Sequence, residues 1–221
     1  MSIEHVEAMQ DHWWWRPGWR VGRRFYACHF ELGEQSALVD LVARWQVVLR
    51  DFSGLDLIPG RWLHLTTEGI GFVDEVGSDE VVELRQQLSV RLAALSTPVV
   101  TFHRPVVRPE AVYLPATPVE SIEAVRSTIR DVATEMFGDD RVEATPAQFR
   151  PHVSIAYSNT GQPSRPIAEA LSRVDVDPVT VALDRIGFLE FHRDYRMYEW
   201  TTVERLGIGC CSKWSRDAAR G

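Results

Sequence analysis

The sequence predicts an α+β fold. Strand-like and helix-like segments are mixed without the steady strand–helix–strand rhythm of a parallel sheet. Several strand candidates follow one another closely enough to form hairpins. The chain also repeats itself coarsely, each half holding helices, one histidine-bearing strand and a strand pair.

Each element has its own signal. Residues 1–22 read as an irregular arm in which Trp13, Trp14, Trp15 and Trp19 sit beside Arg16 and Arg20. Such a cluster either packs onto the body or stacks on bases. Residues 24–32 (RFYACHFEL) predict an aromatic-rich strand. Residues 36–50 predict an amphipathic helix, with Leu38, Leu41, Val42, Trp45, Val48 and Leu49 at helical spacing and Ser36 as its cap. Residues 55–59 lead into a strand over 62–72. A second helix covers 79–95, a strand pair 98–105 and 111–114, and a third helix 119–137, stopped near Gly138. A strand over 149–157, a loop through Asn159, Gly161 and Pro163, a short helix over 167–172 and a strand pair over 179–191 and 195–203 complete the chain. The expected organisation is an arm (1–22), a single domain (23–207) and a flexible polar tail (208–221).

The bulk numbers narrow the class. A chain of 221 residues suits one domain or two small lobes, and 45% hydrophobic with 25% charged residues is ordinary for a soluble protein. No apolar run reaches the roughly 18 residues of a membrane span. Glu4, Glu7 and Asp11 near the start do not resemble a secretion signal. The cysteines are Cys28, Cys210 and Cys211, a set that fits neither a disulfide framework nor metal spacing. A cytoplasmic monomer is the simplest expectation. The net charge of −7 argues against a long nucleic-acid groove but leaves room for one or two locally held phosphates. Lys213 is the single lysine; the arginine bias fits codon usage, although arginine also suits bidentate phosphate binding.

Two short stretches carry the chemistry. Residues 62–67 read WLHLTT and residues 151–155 read PHVSI. Side chains alternate along a strand, so Trp62, His64 and Thr66 share one face, and His152, Ser154 and Ala156 share one face. Each strand then offers an imidazole beside a hydroxyl. Two such strands facing one cleft suit phosphoryl chemistry without a metal. One neutral histidine takes a proton, and one protonated histidine gives a proton to the leaving oxygen. The hydroxyls donate to non-bridging phosphate oxygens. The plainer alternative is a pair of buried structural histidines.

Paired His–apolar–Ser/Thr strands, one per half, resemble the signature of the 2H phosphoesterase superfamily, in its branch of 2′-5′ RNA ligase-like and RNA cyclic phosphodiesterase-like proteins. The similarity runs over about residues 20–207. RRFYACHFEL resembles the opening strand, WLHLTT and FRPHVSIAY the two catalytic strands, and YEWTTVERLGIG the closing strand. The resemblance implies a bilobal body with two antiparallel-rich sheets in pseudo-twofold relation around a central cleft, helices outside. It implies His64 and His152 as the acid/base pair, and Thr66 and Ser154 as phosphate holders, with no cofactor and no metal. The implied activity is opening of 2′,3′-cyclic phosphates on RNA ends or small nucleotides to 2′-phosphates, possible in reverse as 2′-5′ ligation. Thr67 departs from the family, which has an apolar residue there. Two other readings stay open: a nucleotide- or RNA-end-binding module with little catalysis, and the same chemistry on a 2′-5′ oligonucleotide, a cyclic dinucleotide or another cyclic phosphate metabolite.

Further candidates carry less. His29 could face the cleft or be structural. Tyr26 could stack on a base or pack in the core. Arg150, two before His152, could bind phosphate or be solvated. Tyr157 falls on the face opposite His152 and is expected in the core. His103 and His192 stand near strand ends and are expected to be non-catalytic; His5 and His12 in the arm suggest nothing firm. Asp139 and Asp140 read as a loop. No zinc-type histidine spacing, phosphate-binding glycine loop or Gly-x-Ser-x-Gly elbow is present.

Overall fold

The computed structural model describes residues 2–138 and 149–209. The expectations for Asp139, Asp140, Cys210, Cys211 and most of the tail lie outside those residues. The elements in order are β1 (Ala8–Met9), β2 (Phe25–Glu31), α1 (Ser36–Leu49), β3 (Leu55–Leu57), a 3₁₀ turn (Gly60–Trp62), β4 (His64–Phe72), α2 (Ser78–Ala93), β5 (Val99–Phe102), β6 (Val106–Val107), β7 (Ala111–Thr117), α3 (Glu120–Phe137), β8 (His152–Ser158), β9 (Gln162–Pro163), α4 (Arg165–Ser172), β10 (Val179–Ala182), β11 (Arg185–His192) and β12 (Glu199–Gly207).

The main sheet runs β10-β5-β7-β8-β4-β2-β11-β12, with β3 added beside β8 and β6 beside β7. Every pairing along this path is antiparallel. The antiparallel halves are as expected, but instead of two separate sheets they form one continuous ten-stranded sheet. One half is β4-β2-β11-β12 and the other β8-β7-β5-β10, joined where Leu65 of β4 pairs Val153 of β8. The halves share a plan. β2 leads through α1 to motif strand β4 and then α2; β7 leads through α3 to motif strand β8 and then α4.

The helices cover the outer face in two pairs. α1 and α4 pack together, with α1 against β8 and β10; α2 and α3 pack together, against β12 and β4. In α1, Leu38, Leu41, Val42, Trp45 and Leu49 are buried, the stripe its periodicity predicts. Burying each such side chain is worth about 1.5–3 kcal/mol. The cap differs from expectation. Ser36 is already helical, Gln35 precedes it, and no side chain caps the end. α3 stops at Gly138, whose positive φ of 81° glycine adopts freely.

The arm packs onto the body. β1 pairs with β9. Gln10 N–H bonds the Pro109 carbonyl at 2.7 Å, and His12 N–H bonds the Ser158 carbonyl at 2.8 Å. Trp13 is buried, and its indole N–H donates to Asp56 at 2.8 Å. At the far end of the body, Ile208 is buried and its N–H bonds the Asp184 carbonyl, so the chain remains attached beyond residue 207. No helix among the described residues is long and apolar enough to cross a membrane.

Candidate active site

The face of the sheet opposite the helices holds a cavity of about 550 Å³ at the seam between the halves. Its size suits a nucleotide-sized ligand. His64, Thr66, His152 and Ser154 all line it. Their placement follows from the seam pair. Leu65 and Val153 are fully buried on the helix side, so their neighbours point the other way.

Strict alternation then breaks in both motif strands, at the same step. Between β2 and β4, His29 pairs Thr66 and Cys28 pairs Glu68, leaving Thr67 as an extra residue. Between β7 and β8, Tyr113 pairs Ser154 and Val112 pairs Ala156, leaving Ile155 as the extra residue. Each strand carries a β-bulge immediately after its motif hydroxyl, and a bulge reverses the facing of the residues that follow it. The next cavity residue is therefore Gly69 in one strand and Tyr157 in the other. Tyr157 is buried in the core as expected, but it faces the cavity rather than away from it. The side chain of Thr67, where the family has an apolar residue, is buried at its bulge and donates to the Cys28 carbonyl at 2.6 Å.

The two imidazoles are oriented alike. His64 Nδ1 lies 2.9 Å from the Trp62 carbonyl, and His152 Nδ1 lies 2.7 Å from the Arg150 carbonyl. A carbonyl only accepts, so each Nδ1 carries the proton and donates it two residues back. In the neutral ring this leaves the Nε2 lone pair for a ligand. Burial pushes His64 down to about 4, with neighbouring His152 adding to the effect, and burial also lowers His152. Thr66 is exposed, and its hydroxyl has no partner among the described residues. Ser154, by contrast, is buried in the cavity wall.

The weaker candidates separate clearly. His29 does line the cavity, stacked on His64 with ring centroids 5.2 Å apart. Tyr26 does not. Phe25, Ala27 and His29 face the cavity, so Tyr26 faces the other way and packs against Phe188 at 5.4 Å. Arg150 also fails to line the cavity; its side chain is exposed, and its contribution is the carbonyl that holds His152. His103 and His192 lie outside the cavity.

The arm supplies a wall that the motif pattern did not suggest. His12, Arg16 and Trp19 line the cavity with Glu110 and Tyr198. His12 Nδ1–H donates to Glu110 at 3.0 Å, its Nε2 lies 3.2 Å from the Tyr198 hydroxyl, and its ring stacks on Tyr157 at 4.2 Å. Arg16 pairs Glu110 at 2.8 Å, and the Trp14 indole donates to the same carboxylate at 3.1 Å. Trp19 stacks on Phe25 and meets Phe72 and Phe191. The visible signal was the concentration of tryptophan, arginine and histidine before residue 20.

Solved structures share this architecture. TT0787 of Thermus thermophilus matches with a TM-score of 0.62 at 20% identity over 85% of this chain and 98% of its own. E. coli LigT, solved with 3′-AMP, matches at 0.61 and 14% identity over 84% and 98%. The MHV ns2 PDE domain matches at 0.53 and 13% identity over 83% and 99%. A search of the curated proteins finds no match. The model of the 2′-5′ RNA ligase superfamily matches residues 35–195, a span that contains both His–x–hydroxyl strands and the seam between them. On that match the chain belongs to the 2′-5′ RNA ligase superfamily, a family of 2H phosphoesterases.

Proposed function

We propose that the protein is a metal-independent phosphodiesterase that opens 2′,3′-cyclic phosphates, on small nucleotides or RNA ends, to 2′-phosphates. The observation that carries this reading is the matched pair of imidazoles. Each gives its Nδ1 proton to a carbonyl two residues back, and each lines one cavity beside its own motif hydroxyl. One imidazole takes a proton from water as the water oxygen bonds to phosphorus. The P–O3′ bond breaks, and the other ring, protonated, gives its proton to O3′. The product is a 2′-phosphate with a free 3′-hydroxyl. Thr66 and Ser154 donate to the non-bridging oxygens, where charge builds up.

Burial keeps both rings neutral in the empty cavity at pH 7. A bound phosphate anion supplies the opposite charge that favours protonating one of them. In this reading the body (23–207) carries the chemistry and the arm (1–22) shapes one wall. LigT was solved with 3′-AMP, NADP+ and ATP, which supports a nucleotide ligand for this cavity.

The test is hydrolysis of 2′,3′-cyclic AMP and of a short RNA ending in a 2′,3′-cyclic phosphate, with EDTA present, by the wild type and His152→Ala. A 2′-phosphate product from the wild type and none from the variant is the expected result. A folded wild type that turns over neither substrate overturns the reading.

A further inference from the structure

The two halves carry the same supporting device, built from different residues. On the strand beside each motif strand, the residue paired with the motif hydroxyl lays its ring on the motif histidine. In the first half this is His29, paired with Thr66 and stacked on His64 at 5.2 Å and 17°. In the second it is Tyr113, paired with Ser154 and stacked on His152 at 4.1 Å and 29°.

The surroundings differ accordingly. His64 is buried, closed in by His29, by Tyr198 at 6.1 Å and by Trp200 at 5.3 Å, with His152 the nearest charge-bearing group across the seam. Glu31 pairs His64 in register, but its carboxylate is held by Trp200, Thr202 and Arg205. His29 is itself buried, with its Nδ1–H on the Cys28 carbonyl at 2.6 Å, and it is pushed down to about 3 by burial and then by His64. A proton on His64 would meet a desolvated wall and a second imidazole competing for it.

His152 is partly exposed and lies on a phenol face, which attracts a cation. The charged groups near it are engaged with one another. Arg108 bonds the Tyr113 hydroxyl and pairs Glu4, while His12 and Arg16 both pair Glu110.

We propose that His29 and Tyr113 are positioning residues that divide the labour between two otherwise equivalent imidazoles. His29 keeps His64 as the neutral base that takes the proton of the attacking water. Tyr113 makes His152 the ring that takes a proton when a phosphate binds and passes it to the departing O3′. The assignment rests on the phosphodiesterase reading above; the order of protonation it requires does not.

That order is measured first, without turnover, by NMR of full-length protein with ¹³C-labelled histidine, saturated with inorganic phosphate and titrated with pH. His152 is expected to take its proton at least one pH unit above His64. His29→Phe, which gives the first half a plain aromatic face, should raise His64 and leave His152 in place. Tyr113→Leu should lower His152 alone, and Tyr113→Phe should restore it. If His64 protonates first, or if neither variant moves either ring, the proposal is overturned. Because His29 is buried and His29→Phe can fail to fold, the partly exposed Tyr113 series decides alone in that case.

The second readout is the pH profile of kcat/KM on 2′,3′-cyclic AMP. His29→Phe should shift the acidic limb and Tyr113→Leu the basic limb. Shifts on the opposite limbs would reverse the roles. A wild type inactive on cyclic phosphates removes this readout and the phosphodiesterase reading together, while the NMR order still stands or falls by itself.

Discussion

Leu65 and Val153 face each other across the register that joins the two halves of the sheet, and both are fully buried. This apolar pair turns the two histidines and two hydroxyls beside it into one cavity. Leu65→Ala should therefore do two things. It should cost about 2–5 kcal/mol of stability, as large-to-small core changes do, and it should loosen both motifs at once. Urea unfolding with a parallel rate measurement checks this; a loss of stability at unchanged turnover would mean that the seam does not align the site.

His64→Ala and His152→Ala should each lower kcat/KM by about 10²–10⁴ on a cyclic phosphate substrate. Thermal melts of the variants should stay close to the wild type. Near wild-type rates in either variant would remove that histidine from the chemistry.

The hydroxyls should matter less than the imidazoles. Thr66→Val and Ser154→Ala are each expected to slow turnover by about 10- to 100-fold, the scale of one hydrogen bond to a charged group. Ser154 is buried and Thr66 exposed, so Ser154→Ala should have the larger effect. Steady-state kinetics on the two variants gives the comparison.

Acid should destabilise the fold well before the carboxylates titrate. His12 and His64 are lowered from 6.5 to about 4 and His29 to about 3, in each case chiefly by burial. Between those values and 6.5 the unfolded chain binds more protons than the folded one. The stability these rings contribute is present above pH 6.5 and is lost as pH falls toward their folded values. Each should cost on the order of 1–2 kcal/mol by pH 5. Urea midpoints at pH 7.5, 6 and 5 should fall in that order; equal midpoints at 7.5 and 5 would contradict neutral buried imidazoles.

Beneath the first bulge lies a buried ion pair. Arg126 of α3 meets Glu68 at 3.2 Å and bonds the Thr67 carbonyl, while Arg130 reaches the other Glu68 oxygen. Arg126→Met should destabilise by about 3 kcal/mol, because it strips a partner from a buried carboxylate. Adding Glu68→Gln should recover part of that loss. A double-mutant cycle that proves additive would show the two are not coupled.

Much of this molecule is legible in its sequence, because the signals concerned are periodic. The stripe Leu38–Leu41–Val42–Trp45–Leu49 marks a helix packed on one face. The alternation around His64 and His152 places each histidine with its hydroxyl. Legibility fails where periodicity does. A bulge at Thr67 or Ile155 leaves no residue signature, and the one at Ile155 turned the buried Tyr157 toward the cavity instead of away from it. Tyr26 stayed open between stacking and core packing because the facing of β2 depends on which strands flank it; it packs on the core. His12 and Arg16 were missed because the arm reaches Glu110 through the tertiary fold, across almost a hundred residues of chain.

The twin bulges leave Gly69 on one side of the seam and Tyr157 on the other. A methyl group at Gly69 would come within 3.0 Å of the Phe25 ring, so the recess there is already snug against Trp19 and its neighbours. A molecule lying across the seam meets a glycine backed by aromatic rings on one side and a tyrosine stacked on His12 on the other. The twofold likeness belongs to the backbone, while the side chains make a keyed socket. Under the phosphodiesterase reading, the two ends of a bound substrate would therefore meet different walls, and the backbone symmetry would not carry over to the way it binds.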